Sequence, residues 1–295
     1  MATSVVIPCF KHDEFLKEAI DSVVTQTRCP LEVIVIDDGS PEPLRQINNE
    51  HNEVPIRWIR TENRGLGAAR NHGAMHATGD FVAFLDSDDF WEPTKLEKQE
   101  EFLMLNPEHV GCYTRCKDSP GFFKFGPYPE SDLDRFQLGE WLWSSLFFPP
   151  SCVLIRTEIF HQVGGFMEGL SNGEDIHLWM RLLELGPMGR VDQELCWYRI
   201  HNNQISGNQI RRVLGGKLAR KDIIENHSNF LQECGIPKDQ FWKTYRNDVL
   251  TVYFKRDFKN ARRLLADYLS DHPTDVKLYL YLVISSLIPP GFFRQ

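Results

Sequence analysis

Three short apolar runs, each followed by polar residues, limit what this chain can fold into. Ser4-Val-Val-Ile-Pro8 is short and β-branched, Leu31-Glu-Val-Ile-Val-Ile36 breaks off into Asp37-Asp38-Gly39-Ser40, and Phe81-Val-Ala-Phe-Leu85 breaks off into Asp86-Ser87-Asp88-Asp89. Runs of this length between turn signals read as strands buried on both faces. Between the first two, Phe15, Leu16, Ala19, Ile20, Val23 and Val24 recur at helical spacing and predict a helix over 12–27. Strand, helix, strand is a βαβ unit, and polar residues just beyond the strand ends are where an open α/β sheet binds ligands.

The alternation continues with strands over 56–59, 151–155 and 194–200, and helices over 65–77, 93–105, 157–163 and 175–185. The stretch 121–150 is rich in aromatics and proline and reads as irregular, apart from a helix near 138–146. Beyond Gln204 only helices are expected, with 260–270 and 276–287 paired in a hairpin about His272-Pro273. These changes of texture divide the chain into an α/β domain over 1–206 and an α-helical extension over 207–295.

Charge narrows the function classes. The net charge is −8, yet from Ile205 onward 15 Lys+Arg face 9 Asp+Glu, a local +6 that leaves −14 on residues 1–204. An acidic first domain argues against a nucleic-acid partner, whose phosphates require a basic face. It is compatible with a phosphorylated ligand when a divalent cation reverses the local sign. Seven scattered cysteines without a Cys-x-x-Cys pair read as reduced, mostly buried thiols of a cytoplasmic protein. No signal peptide is indicated at the first residues. The apolar stretch Leu278 to Pro289 is too short to cross a bilayer, which takes about 20 residues. It reads first as a buried helix and second as peripheral contact with the cytoplasmic membrane face.

The chemistry-bearing residues are acidic. Asp86 and Asp88, at i and i+2 on one turn, can converge on a hard cation such as Mn²⁺ or Mg²⁺ that also binds substrate phosphates. Asp38 ends an earlier strand, where it can accept hydrogen bonds from a base or ribose. Asn63-Arg-Gly-Leu-Gly-Ala-Ala-Arg70-Asn71 opens a helix whose start favours anions, with Arg70 directed to the same edge. Glu174-Asp175 begins an amphipathic helix where a carboxylate can serve as general base. Tyr198-Arg-Ile-His201 ends the last strand and offers an imidazole to a metal or diphosphate. Taken singly, each has a purely structural explanation: turns, helix caps and solvated arginines use the same residues. Trp179, Leu178 and Leu182 read as core.

In order along the chain, Val5-Val-Ile-Pro8-Cys-Phe10, Asp37-Asp-Gly-Ser40, Asn63-Arg-Gly65 with Ala69-Arg-Asn71, Leu85-Asp-Ser-Asp-Asp89, Gly164-Gly-Phe166, Glu174-Asp175 with Leu178-Trp179, and Tyr198-Arg-Ile-His201 resemble glycosyltransferase family 2. The resemblance implies a Rossmann-like GT-A fold that binds a nucleoside-diphosphate sugar, most often a UDP-sugar, and transfers the sugar with inversion to a glycan or lipid-linked acceptor. It further implies that Pro8, Phe10, Asp38 and Arg70 line the base and ribose pocket, with Asp86 at the ribose or sugar. Asp88 and His201 would face the metal and diphosphate, and Asp175 would be the catalytic base beside Glu174. Two positions depart from the pattern. Lys11 replaces a usual Asn, and Met167-Glu168 follows Gly-Gly-Phe where Asp-Glu is common.

Two rivals share the fold class. A sugar nucleotidyltransferase calls for a Gly-rich basic loop after the first strand, where this chain has Cys9-Phe10-Lys11. A non-catalytic nucleotide-sugar-binding module is expected to have lost a carboxylate, and Asp86, Asp88 and Asp175 are all present. The aromatics between Phe122 and Phe148, Trp141 and Trp143 among them, are equally suited to an acceptor wall and to the core.

Overall fold

The computed structural model describes residues 1–11, 14–46, 54–117, 128–144, 148–201, 209–237, 239–255 and 257–287. Their centre is one eight-stranded mixed sheet in the order β3-β2-β1-β4-β7-β6-β8-β5. The strands are β1 (Thr3–Cys9), β2 (Glu32–Asp38), β3 (Ile56–Thr61), β4 (Phe81–Phe84), β5 (Phe90–Trp91), β6 (Gly111–Cys116), β7 (Val153–Arg156) and β8 (Met188–Trp197).

The first four form a parallel half, β1 lying between β2 and β4, with Val6 opposite Ile34 on one side and Phe84 on the other. Every residue of β1, β2 and β4 is buried, as their unbroken apolar runs require. Strand β7 then runs antiparallel between β4 and β6, while β6 and β8 are parallel. The carboxyl ends of β1, β2 and β4 therefore open on one edge, carrying Phe10, Asp37-Asp38 and Asp86–Asp89 together.

Crossover helices cover the parallel half: α1 (Leu16–Val24) follows β1 and α2 (Leu66–Met75) follows β3. Helix α3 (Lys95–Leu105) covers the second half, α4 (Arg135–Ser144) and the short α5 (Thr157–Gln162) flank β7 in sequence, and α6 (Glu174–Leu185) buries Leu178, Trp179 and Leu182 in the core as expected. Strand β6 was not expected. Its sequence, Gly-Cys-Tyr-Thr-Arg-Cys, lacks a β-branched run, and its burial becomes apparent only once β7 and β8 flank it. Strand β8 begins six residues before the expected 194 for the same reason, because Met188–Glu194 gains its strand character from pairing with β6.

The extension comprises α7 (Gln209–Asn226), α8 (Ser228–Glu233), α9 (Gln240–Phe254), α10 (Phe258–Asp271) and α11 (Val276–Leu287), and α10 with α11 is the expected hairpin. It is docked closely on the α/β domain. His177 on α6 meets Asp222 on α7 at 2.8 Å, and a Cβ on Gly215 would come within 2.2 Å of the Asn172 carbonyl. The join itself, at 202–208, lies outside the described residues.

Helix α11 corrects the first reading of the apolar tail. Only Leu278 and Ser285 are buried on it, and Val276, Leu280, Val283 and Leu287 face outward. Helix α11 packs on α10 and sets Tyr281 against Tyr253 and Phe254 of α9, and these neighbours cover one side of a helix that is apolar nearly all round. Among the described residues, no helix is long and apolar enough to cross a membrane.

Candidate active site

The acidic edge is built from turns that the strands end in. Asp37 folds back on its own loop: its carboxylate accepts from the N–H of Ser40 at 2.9 Å and from Arg60 at 3.0 Å. Gly39 takes φ +68°, and a Cβ there would lie 2.5 Å from the Asn63 nitrogen, so only glycine fits. Asp38 accepts the backbone N–H groups of Arg64 at 2.9 Å and Gly65 at 3.0 Å, which fastens the start of α2 to the end of β2. Burial raises the proton affinity of Asp38, and those two N–H groups oppose the rise.

Arg70 is the largest correction. The expectation placed its guanidinium at the base and ribose, but the side chain is 1% exposed and lies beneath the site. Its Nη2 donates to Asp86 at 2.6 Å, its Nη1 donates to Glu174 at 2.9 Å, and the group packs over the Phe166 ring. Helix α2 is amphipathic in an inverted sense: its alanines and glycines permit close packing, and its one long inward side chain is a cation that needs two anions. Those anions are a member of the acidic turn and a member of the Glu-Asp pair.

The acidic turn is held from three sides. Ser151, which sequence reasoning passed over as part of a strand, donates its hydroxyl to Asp89 at 2.6 Å and accepts the Asp86 N–H at 3.2 Å. Arg199 gives its N–H to the other oxygen of Asp89 and its Nε to the Asp88 carbonyl. His201 Nε2 lies 2.8 Å from Asp88 Oδ2. Burial, followed by the charge of Asp86, raises the proton affinity of Asp88, and fully buried Asp89 is raised further. Burial is the larger cause of both rises and the neighbouring carboxylates add to it, while His201 opposes the rise at Asp88 and Ser151 and Arg199 oppose it at Asp89. An oxygen-rich set with one imidazole and excess negative charge fits a hard divalent cation such as Mn²⁺ or Mg²⁺.

On the other side of Arg70, Gly173 adopts φ +89° and starts α6, so Glu174 and Asp175 occupy the helix's first turn, where its dipole favours anions. Glu174 is neutralised by Arg70. Asp175 is 8% exposed and accepts the N–H of Ile176 at 2.7 Å. Burial, reinforced by the neighbouring Glu174 charge, raises its pKa to about 7. A carboxyl with that pKa can exchange a proton near neutral pH.

The remaining expected residues divide. Phe10 stands 37% exposed at the end of β1, with Lys11 Nζ 4.8 Å from the centre of its ring. Pro8 is buried within β1, beyond Val6, the last residue paired to β4. Asn71 was quoted in a motif without a role, and the structure supplies one. Its amide donates to the Phe166 carbonyl and accepts the Phe166 N–H, clamping the Gly-Gly-Phe loop. Trp143 is core, packed against Phe241 and beneath Arg220, and Phe148 stacks on Tyr113. Residues 122–127 and 145–147 of the aromatic stretch lie outside the described set.

A nucleotide-diphosphosugar transferase fold of the GT-A type, with a helical extension, is the class that this sheet order and acidic edge define. The Glycosyl transferase family 2 profile matches residues 4–164, and the chain belongs to that family. TuaG of Bacillus subtilis, a glycosyltransferase named for teichuronic acid biosynthesis, is 31% identical over 70% of this chain and 82% of its own length. An uncharacterised glycosyltransferase of Rickettsia felis is 29% identical over 83% of this chain, which spans only 38% of that relative. Among solved structures, Staphylococcus aureus TarS 1–349 with UDP-GlcNAc superposes with a TM-score of 0.70 at 18% identity, covering 91% of this chain and 81% of TarS. The Pyrobaculum calidifontis mannosyltransferase PcManGT, with GDP-Man and Mn²⁺, superposes at 0.59 and 17% identity, covering 97% of this chain and 86% of its own.

Proposed function

We propose that this chain transfers a sugar from a nucleoside-diphosphate sugar, a UDP-sugar by preference, to a hydroxyl of a glycan or lipid-linked acceptor in bacterial surface-polysaccharide synthesis. Configuration inverts at the anomeric carbon. The observation that supports the reading is the single buried guanidinium of Arg70, which pairs with Asp86 of the acidic turn and with Glu174 and so holds the two acidic clusters side by side.

In this reading Asp38 and Phe10 border the nucleoside, and Asp86 faces the ribose or sugar. Asp88 and His201 would hold Mn²⁺ or Mg²⁺, which when bound neutralises charge on the departing diphosphate. Asp175 accepts the proton of the acceptor hydroxyl as it attacks. Burial first, and the neighbouring Glu174 second, hold the Asp175 pKa high enough for that task. Arg70 acts through Asp86 and Glu174 as a positioning residue, without touching the donor.

The outward apolar face of α11 and the basic balance of the extension suit peripheral contact with an anionic membrane, where a lipid-linked acceptor would lie. A screen of UDP-, GDP- and dTDP-sugars, scored for metal-dependent release of nucleoside diphosphate, tests the activity. Turnover of one donor supports transfer. Binding without turnover of any donor, with or without glycan acceptors, would favour a non-catalytic module, and pyrophosphate release from a nucleoside triphosphate would favour a nucleotidyltransferase.

A further inference from the structure

Next to Ser151, which holds the acidic turn, three adjacent strands bring three sulfurs together. Cys116 ends β6, Cys152 precedes β7 and Cys196 lies on β8, and their Sγ atoms all fall within 4.8 Å of one another. Cys116 and Cys152 stand 3.2 Å apart. All three thiols are buried.

Two neighbours make this more than a packing of small apolar groups. Lys95 on α3 is fully buried, with its ammonium 3.9 Å from the centre of the Trp91 ring and donating to Gln99 Oε1 at 2.6 Å. No carboxylate pairs with it among the described residues, and the groups beside it able to carry negative charge are the cysteine sulfurs. A buried ammonium without an anion is costly. The Thr114 hydroxyl is likewise buried without an oxygen or nitrogen partner, and it reaches Cys152.

We propose that Cys116, Cys152 and Cys196 bind one thiophilic divalent cation of the Zn²⁺ type, in a site distinct from the carboxylate–imidazole site of the donor. Each thiol releases its proton to solvent as its sulfur–metal bond forms, so three protons leave for one ion bound. Three thiolates, one divalent cation and the Lys95 ammonium then sum to zero charge, which suits a dry interior. With zinc–sulfur bonds of about 2.3 Å, two thiolates on a tetrahedral ion stand about 3.8 Å apart, within the span of the cluster. Thr114 would donate to the Cys152 thiolate, as outer hydrogen bonds to metal ligands commonly do.

The two sites would sort metals by softness, sulfur taking the thiophilic ion and oxygen the hard one. The bound ion would tie β6, β7 and β8 next to Ser151, the residue that holds both Asp86 and Asp89. It is a structural tie, outside the transfer chemistry.

The test uses the reduced, full-length protein produced with Co²⁺ as the only added transition metal, then exchanged against Zn²⁺. One equivalent of Co²⁺ per chain with thiolate-to-cobalt charge-transfer absorption, lost on Zn²⁺ addition, retained in Asp88→Ala and absent in Cys196→Ser, is the expected result. Should Cys196→Ser not fold, Cys116→Ala reads the same loss. No such absorption in the wild-type protein, or absorption unchanged by either cysteine substitution, would overturn the proposal. The wild-type spectrum decides without any variant, and retention in Asp88→Ala separates this site from the donor's.

Discussion

Arg70 and Glu174 meet at 2.9 Å in the interior, and the same guanidinium holds Asp86 at 2.6 Å. Removing the cation leaves two poorly solvated carboxylates facing each other. Arg70→Ala is expected to cost about 3–5 kcal/mol, the range for breaking a buried pair. Arg70→Lys should recover only part of this, because a compact ammonium cannot engage two carboxylates as a planar fork does. Urea unfolding of the three proteins measures it. A loss of about 1 kcal/mol or less, the size of an exposed pair, would mean that the site does not depend on this strut.

Asp175 predicts opposite pH trends for activity and stability. With its pKa at about 7, transfer needs the deprotonated form, so kcat/KM should fall about tenfold per pH unit on the acid side of 7. Stability runs the other way. Between the unfolded value of about 3.9 and the folded value, the folded state holds a proton that the unfolded chain has released. The stabilising contribution is therefore complete below pH 4 and is lost as pH rises through 7. Asp175→Asn removes that loss, so denaturation midpoints should show the variant gaining on the wild type from pH 5 to pH 8.

Asp88 and His201 predict a metal-linked donor site. In the presence of Mn²⁺, a nucleoside diphosphate at a hundred times its Kd should stabilise the wild-type protein by about 2.7 kcal/mol. Thermal melts of Asp88→Ala should show none of that metal-dependent gain. The same gain in both would remove Asp88 from the metal's ligands.

Lys11 carries the one positive φ of a non-glycine residue among the described residues, at +69°, with its N–H donating to Ser40 Oγ. Asn tolerates this region better than Lys because its short polar side chain can hydrogen-bond locally. Lys11→Asn should therefore raise stability by up to about 1 kcal/mol, read from the shift in urea midpoint. A loss would mean that the Lys11 contact with the Phe10 ring outweighs the backbone term.

The parallel half of the sheet was legible because its strands are continuous apolar runs that end abruptly in Asp. Strand β6 was not, because Cys112, Tyr113 and Thr114 become a strand through neighbours that are distant in sequence. At the site, residue types and their shared edge could be read, since carboxylates after buried strands have few other uses. Partnerships could not. Nothing in the local pattern shows that Arg70 holds Asp86, that Ser151 carries Asp89, or that Asn71 clamps Phe166, because each pair joins segments that only the folded sheet brings together. The cysteines show the same limit, since spacings of 36 and 44 residues resemble no metal motif until three strands align them.

The division of labour between Asp88 and Asp175 is the central claim, and one comparison tests it most directly: metal-dependent donor binding by calorimetry beside turnover of the same donor, in wild type and Asp175→Asn. The account predicts binding within about twofold of wild type and turnover reduced about 10²–10⁴-fold, the usual size of a general-base contribution. Binding and turnover falling together would contradict it, placing Asp175 in the donor site and leaving the reaction without its proposed base.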